Sequence, residues 1–248
     1  MSKILVLASG GLDSTCLLHK AVKEYGATNV FALNMYYGQK HHKEMECFQW
    51  QMERLGIENY KVLDLSSIFA GYKGCTLLEG GGDIPHESYA KQLAKKPGTV
   101  STYVPFRNGL FLSVAASVAI QEGCNIIWYG AHADDAAGNA YPDCSKAFTD
   151  AMTLAIEEGS DHKVHVAAPL VEWNKSQVVK KGLELHVPYH LTTSCYHGRE
   201  KACGKCGTCL DRIAAFKANG VVDPIEYEIE IDWSGCKMID YKKEESEV

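Results

Sequence analysis

The 248-residue chain has no basic run longer than two residues, and its 25 Lys and Arg are outnumbered by 31 Asp and Glu, a formal net charge of −6. A protein that grips a polynucleotide along its phosphates needs the opposite balance, so no nucleic-acid partner is expected. No apolar run approaches the roughly 18 residues that a membrane-spanning helix requires, and no charged-then-apolar leader precedes the first apolar run at Lys3. Neither a membrane partner nor secretion is expected, and a cytoplasmic location is. The patterns GxxxxGK[ST] and GxGxxG are both missing, which removes the lysine-bearing P-loop and the dinucleotide fingerprint. Internal repeats are missing too, and the one biased stretch, the acidic tail KKEESEV, is expected to fray.

What is present begins with LASGGLDSTCLL at residues 7–18. The preceding KILVLA is short, apolar and ended by glycine, as in a strand buried on both faces; STCLLHKAVKEYG then carries apolar residues at helical spacing. Gly10 and Gly11 therefore sit at a strand-to-helix junction, where unpaired N–H groups and the helix dipole attract an anion. The glycines let the backbone approach it, and Ser9, Ser14 and Thr15 add hydroxyl donors. Asp13 repels a bare phosphate at close range, but not one carrying a divalent cation. Pyrophosphate bound with magnesium fits this loop; an ordinary capped turn is the plainer alternative.

Further along, strands are expected at 29–37, 60–65, 125–131 and 162–170. Helices are expected at 40–56, 107–122 (apolar nearly all round), 144–158 (capped by Asp143) and 174–186. Strands alternating with helices predict an α/β fold, a doubly wound and mostly parallel sheet with ligands at the carboxyl ends of its strands. Residues 71–101, with Gly80, Gly81, Gly82, Pro85, Pro97 and Gly98, break the rhythm and read as an excursion over a site. The expected organisation is a nucleotide- and substrate-binding domain at 1–190, a metal-binding segment with a C-terminal helix at 191–230, and a tail at 231–248. A chain of this length buries about three quarters of its unfolded surface without staples.

Of ten cysteines, Cys195, Cys203, Cys206 and Cys209 form a C-x7-C-x2-C-x2-C array within 15 residues. In a reducing compartment that spacing suits four thiolates closing a tetrahedral shell around Zn2+, with Gly204 and Gly207 permitting tight turns; an iron–sulfur cluster is the alternative. With four protein ligands the site is structural. The cysteines at 16, 47, 75, 124, 144 and 236 lack partner spacing and read as packing residues.

SGGLDST resembles the loop of the N-type ATP pyrophosphatases. Together with YGQKHHKE (37–44), YVPFRN (103–108), YPDC (141–144), the Lys175 segment and LELHVPYHLTTSCYHGREKACGKCGTCLDR (183–212), it makes residues 3–228 similar to the 7-cyano-7-deazaguanine synthases. The resemblance implies an adenine-nucleotide α-hydrolase-like fold and the cofactors ATP, Mg2+ and Zn2+. It also implies an AMP-forming ligase that converts 7-carboxy-7-deazaguanine and ammonia to the nitrile on the queuosine and archaeosine routes. A homodimer is expected. It assigns Ser9, Gly10, Gly11, Leu12, Ser14 and Thr15 to the pyrophosphate, Asp13 to magnesium and Lys175 to phosphate charge. Arg107 and Asn108 go to phosphate or substrate, Leu33 and Met35 to adenine, and Tyr141 and Asp143 to the base.

The chain departs from the family pattern at Phe106, where family members read glycine, at Thr193, where they read tryptophan, and in the longer loop carrying Asp134 and Asp135. All three departures are expected on the substrate side. They leave open an amide product or a protein amine as acceptor. A tRNA thiolase or lysidine-forming enzyme would carry a basic surface, and a non-catalytic nucleotide sensor would have no use for Asp13, Lys175 and Arg107 together.

Overall fold

In the computed structural model, which describes residues 2–239, five parallel strands form one sheet of order β3-β2-β1-β4-β5. The strands are β1 (Ile4–Leu7), β2 (Val30–Tyr36), β3 (Tyr60–Asp64), β4 (Ile126–Trp128) and β5 (His165–Ala167). Between them run α1 (Leu12–Tyr25), α2 (Lys43–Leu55), α3 (Ser66–Phe69), α4 (Tyr89–Lys95), α5 (Arg107–Glu122), α6 (Ala133–Ala136) and α7 (Lys146–Gly159). The helices α8 (Lys175–Glu184) and α9 (Gly207–Ala218) follow β5. The tail KKEESEV lies outside the described residues.

β1 is central because its side chains are apolar on both faces. Leu5 pairs with Phe31 on one side and Ile127 on the other. Ile4 and Val6 point into the core formed with α1, α2 and α8, whereas Leu5 joins the opposite core with Leu112, Ala115 and Val166. Edge strand β3 instead alternates, with Tyr60 and Val62 exposed, as expected of a strand with one solvated face.

The structure corrects several expected boundaries. β4 and β5 span only three residues each; after Trp128 the chain leaves the sheet and runs as Tyr129, Gly130 and Ala131 along the wall of a cavity. α5 buries one stripe, Gly109, Leu112, Ala115 and Ala119, and exposes Ile120 on the other side. α7 starts at Lys146 and is capped by Ser145, whose side chain accepts from Phe148 N; such a cap is worth about 1 kcal/mol. Asp143 does not cap it, because its carboxylate is taken by Asn108 N.

The excursion at 71–101 contains α4 and a buried patch in which Cys75, Leu77 and Leu78 pack on Tyr37 and Val104. At the far end, residues 231–237 return to the body: Trp233 packs on the core, and Lys237 exchanges backbone hydrogen bonds with Gly220 and Val222.

Candidate active site

A cavity of about 570 Å³ opens at the carboxyl ends of β1, β2 and β4. It lies where the strand order reverses between β1 and β4, the crevice in which open α/β sheets bind ligands. Ser9, Gly11, Leu12, Asp13 and Ser14 line its floor, while Gly10 and Thr15 lie behind. Gly10 adopts φ +93°, and a Cβ there would stand 2.1 Å from the Glu44 carbonyl, so the loop closes down on α2 only as glycine. The Ser9 hydroxyl accepts from Gly11 N at 3.1 Å, and the Ser14 hydroxyl accepts from Ser9 N at 3.1 Å, which locks the turn. Among the described residues, no side chain caps α1.

Four charged or titratable side chains converge at the start of α1. Lys175 Nζ, from the first turn of α8, donates to Asp13 Oδ2 at 2.5 Å and lies 2.9 Å from His132 Nε2. The same His132 nitrogen is 3.2 Å from Asp135 Oδ2. Burial pushes the Asp13 carboxyl up, but the Lys175 ammonium and His132 outweigh it and hold Asp13 below the ordinary carboxylate value. Burial pulls Lys175 down, and the Asp13 and Asp135 carboxylates more than reverse this. The pair is therefore ionised within the cavity, and Asp13 Oδ1 is buried without a hydrogen-bond partner among the described residues.

Arg107 opens α5. Its Nη1 donates to the Tyr37 hydroxyl at 3.0 Å, its guanidinium lies 5.0 Å from the Tyr37 ring centroid, and its buried Nε has no partner among the described residues. The residue before it, Phe106, adopts φ +54°, the left-handed conformation that glycine accepts freely, with its ring edge-on to Phe148. Asn108, Tyr141 and Asp135 line the cavity, whereas Asp143 and Asp134 do not reach its wall. Asp143 stands behind Asn108. The Asp134 carboxylate accepts from Lys175 N at 2.7 Å. Leu33 and Met35 form part of the wall, although the Leu33 carbonyl is already taken by Ala8 N at 3.0 Å. Thr193 is buried beside the loop, its N–H donating to the Gly10 carbonyl.

Several residues in or behind the wall escape the sequence reading. His132, fully buried, comes in the loop that its acids alone single out; its place four residues after an apolar strand is the signal. Asp211 faces the cavity from α9, and burial lifts its carboxyl to about 6, with Asp135 and Asp134 adding to the rise against the pull of Lys175. Tyr89 and Tyr196, also missed, share a hydroxyl contact with each other at 2.6 Å, and the Tyr196 hydroxyl lies 3.1 Å from that of the expected Tyr141.

Beside the cavity, the four predicted cysteines are buried with their sulfur atoms all within 4.8 Å of one another. Backbone N–H groups of Lys205 and Cys206 donate to Cys203 Sγ, and Cys203 N donates to Cys195 Sγ. Gly204, at φ +69°, makes that turn possible. A clustered, N–H-decorated thiol set of this kind could hold a metal ion.

The profile described as queuosine biosynthesis protein QueC matches residues 3–220 of this chain. The chain belongs to the QueC family. It is 45% identical over 231 residues to the 7-cyano-7-deazaguanine synthase of Caldicellulosiruptor bescii, covering 93% of this chain and 100% of that one. It is 41% identical over 226 residues to the enzyme of that name from Psychromonas ingrahamii, covering 91% and 98%. Among solved structures it is similar to the U34-tRNA thiolase NcsA from Methanococcus maripaludis, with a TM-score of 0.47, 18% identity and coverage of 88% and 66%. No helix among the described residues is long and apolar enough to cross a membrane.

Proposed function

We propose that this member of the QueC family is an ATP-dependent carbon–nitrogen ligase that converts 7-carboxy-7-deazaguanine and ammonia into 7-cyano-7-deazaguanine, releasing AMP and pyrophosphate twice. The observation that carries the reading is the ionised Lys175–Asp13 pair, 2.5 Å apart, at the uncapped start of α1 inside the cavity. The names of its relatives supply the product, and the resemblance of its motifs implies the substrates.

In the first step a carboxylate oxygen attacks the α-phosphorus of ATP and the bond to pyrophosphate breaks. The protein's part is to offer donors where charge develops: the turn of Ser9, Gly10 and Gly11, with Leu12, Ser14 and Thr15, holds the pyrophosphate, and Lys175 adds positive charge beside it. Leu33 and Met35 flank the adenine. Asp13, with its unpartnered Oδ1, fits a divalent cation, which supplies charge neutralisation on the phosphates when bound.

Ammonia then attacks the acyl carbon, AMP leaves with one carboxylate oxygen, and a proton is lost. The amide oxygen attacks a second ATP, pyrophosphate leaves, and departure of AMP with two protons yields the nitrile. Through both rounds Asn108, Tyr141 and Asp135 hold the deazaguanine side, with Asp143 fixing Asn108 from behind. Arg107 presents its free Nε toward phosphate or substrate. The four cysteines fit Zn2+, which contributes folding energy and leaves no open position for water chemistry.

Substrate labelled with 18O in both carboxylate oxygens tests the scheme. Each of two AMP molecules should carry one labelled oxygen. Label in orthophosphate, with ADP formed, would overturn it; a single labelled AMP with the amide or a polypeptide adduct would replace the nitrile reading by single ligation.

A further inference from the structure

Residues 84–89 of the long excursion dock on the cysteine segment at three points. Ile84 packs among Cys195, Cys203, Cys206 and Cys209. Tyr89 lies so close to Gly207 that a Cβ there would stand 2.7 Å from the ring, and its hydroxyl is 2.6 Å from that of Tyr196. Between these anchors His86 meets His197 across 111 residues of chain, Nε2 to Nε2 at 3.1 Å. A ring nitrogen of each histidine and the sulfur of Cys203 lie within 4.8 Å of one another.

We propose that His86, His197 and Cys203 form a second metal site, for a borderline divalent ion such as Zn2+, which shares the Cys203 sulfur with the four-cysteine centre and fastens the 84–89 segment beside the cavity. Three features support it. Two neutral imidazoles facing nitrogen to nitrogen satisfy one hydrogen bond with one lone pair, whereas a cation uses the lone pairs of both. Their 3.1 Å separation is close to the edge of a tetrahedron built on metal–nitrogen bonds of about 2.0–2.1 Å. Cys203 Sγ receives two backbone N–H groups, from Lys205 and Cys206, which favour the thiolate needed to bridge two ions.

His86 is exposed and His197 half-buried, so an ion has an entry path and solvent can complete the shell. With three protein ligands the site binds more weakly than the closed cysteine centre. Its structural consequence follows from sequence adjacency. Tyr196 directly precedes His197, Tyr89 follows His86 by three residues, and both tyrosines line the cavity. An ion here holds that wall in place.

The test uses the full chain, first loaded with one equivalent of Zn2+, then titrated with Zn2+ alone and, in parallel, with Co2+ alone, with bound metal counted after gel filtration. The wild type should take a second equivalent, and His86→Ala and His197→Ala should each keep the first and lose the second. Retention of the first ion, with unchanged far-ultraviolet circular dichroism, establishes that the variants fold. The second ion should also slow proteolytic cleavage within 71–101 in the wild type and not in the variants. Saturation of the wild type at one equivalent would overturn the proposal. So would a second equivalent that persists in the double histidine variant, which would then be an adventitious ion only.

Discussion

Asn108 N donates to Asp143 Oδ2 at 2.9 Å, and the Asn108 side-chain amide donates to the Asp143 carbonyl at 3.1 Å. The two residues lie 35 positions apart, and their contact joins the start of α5 to the YPDC turn at the cavity wall. Burial raises the Asp143 carboxyl, against the pull of the Asn108 N–H and Arg107. Removing the carboxylate leaves a partly buried N–H without its acceptor, at a cost of about 1–3 kcal/mol. Asp143→Ala should therefore lower the unfolding free energy measured in urea by that amount and weaken deazaguanine binding, with the dissociation constant for ATP changed much less. Calorimetric titration of the two ligands separates the effects.

Gly10→Ala should be far more damaging than Gly11→Ala. At Gly10 the added carbon meets backbone, the Glu44 carbonyl at 2.1 Å, and φ is +93°; at Gly11 it meets the flexible Glu44 carboxylate at 2.9 Å, without a positive φ. The expected outcome for Gly10→Ala is loss of ATP binding together with a lowered melting temperature. Gly11→Ala should remain folded with weakened nucleotide affinity.

His19 gives a stability signature in pH. It is buried in α1, 3.0 Å from Gln51, and burial pulls its imidazole from the ordinary 6.5 to about 4, against the opposing pull of the Gln51 contact. The unfolded chain therefore binds the proton more readily, so the neutral histidine contributes full stability above about pH 6.5 and loses it as pH falls toward 4. The loss over that window is about 3 kcal/mol. Urea midpoints measured at pH 7 and pH 4.5 should differ by less in His19→Asn than in the wild type.

Chelation should act through the cysteines. One tightly held Zn2+ per chain, removed by a strong chelator, should take several degrees off the melting temperature, and Cys206→Ser should reproduce the loss. Iron with acid-labile sulfide in the purified protein would contradict this.

The parts of the molecule legible in the sequence are those whose signal is contiguous. KILVLA followed by SGGLDS declares a buried strand, a tight turn and a helix start, and the spacing of four cysteines within one short segment declares the cluster that could hold a metal. What the sequence hides is made by tertiary contact. Asp143 reads as a helix cap because it precedes an apolar helix, yet Asn108 claims its carboxylate and Ser145 caps instead. His132, behind the wall against Lys175, and Asp211, in the wall, join the site only once β4 and α9 are brought beside Lys175. The β4 pattern overruns its strand because the residues that follow stay apolar to line a cavity wall, and the β5 pattern overruns because Val164, Ala168 and Leu170 on either side of the strand stay apolar to fill the core.

The central claim is cleavage of ATP at the α-phosphate to drive nitrile formation. The most direct measurement is the nucleotide stoichiometry when the full chain is incubated with ATP, magnesium, 7-carboxy-7-deazaguanine and ammonium. Two AMP and two pyrophosphate per nitrile, with no ADP, is the predicted result. ADP and orthophosphate in place of AMP and pyrophosphate would contradict it.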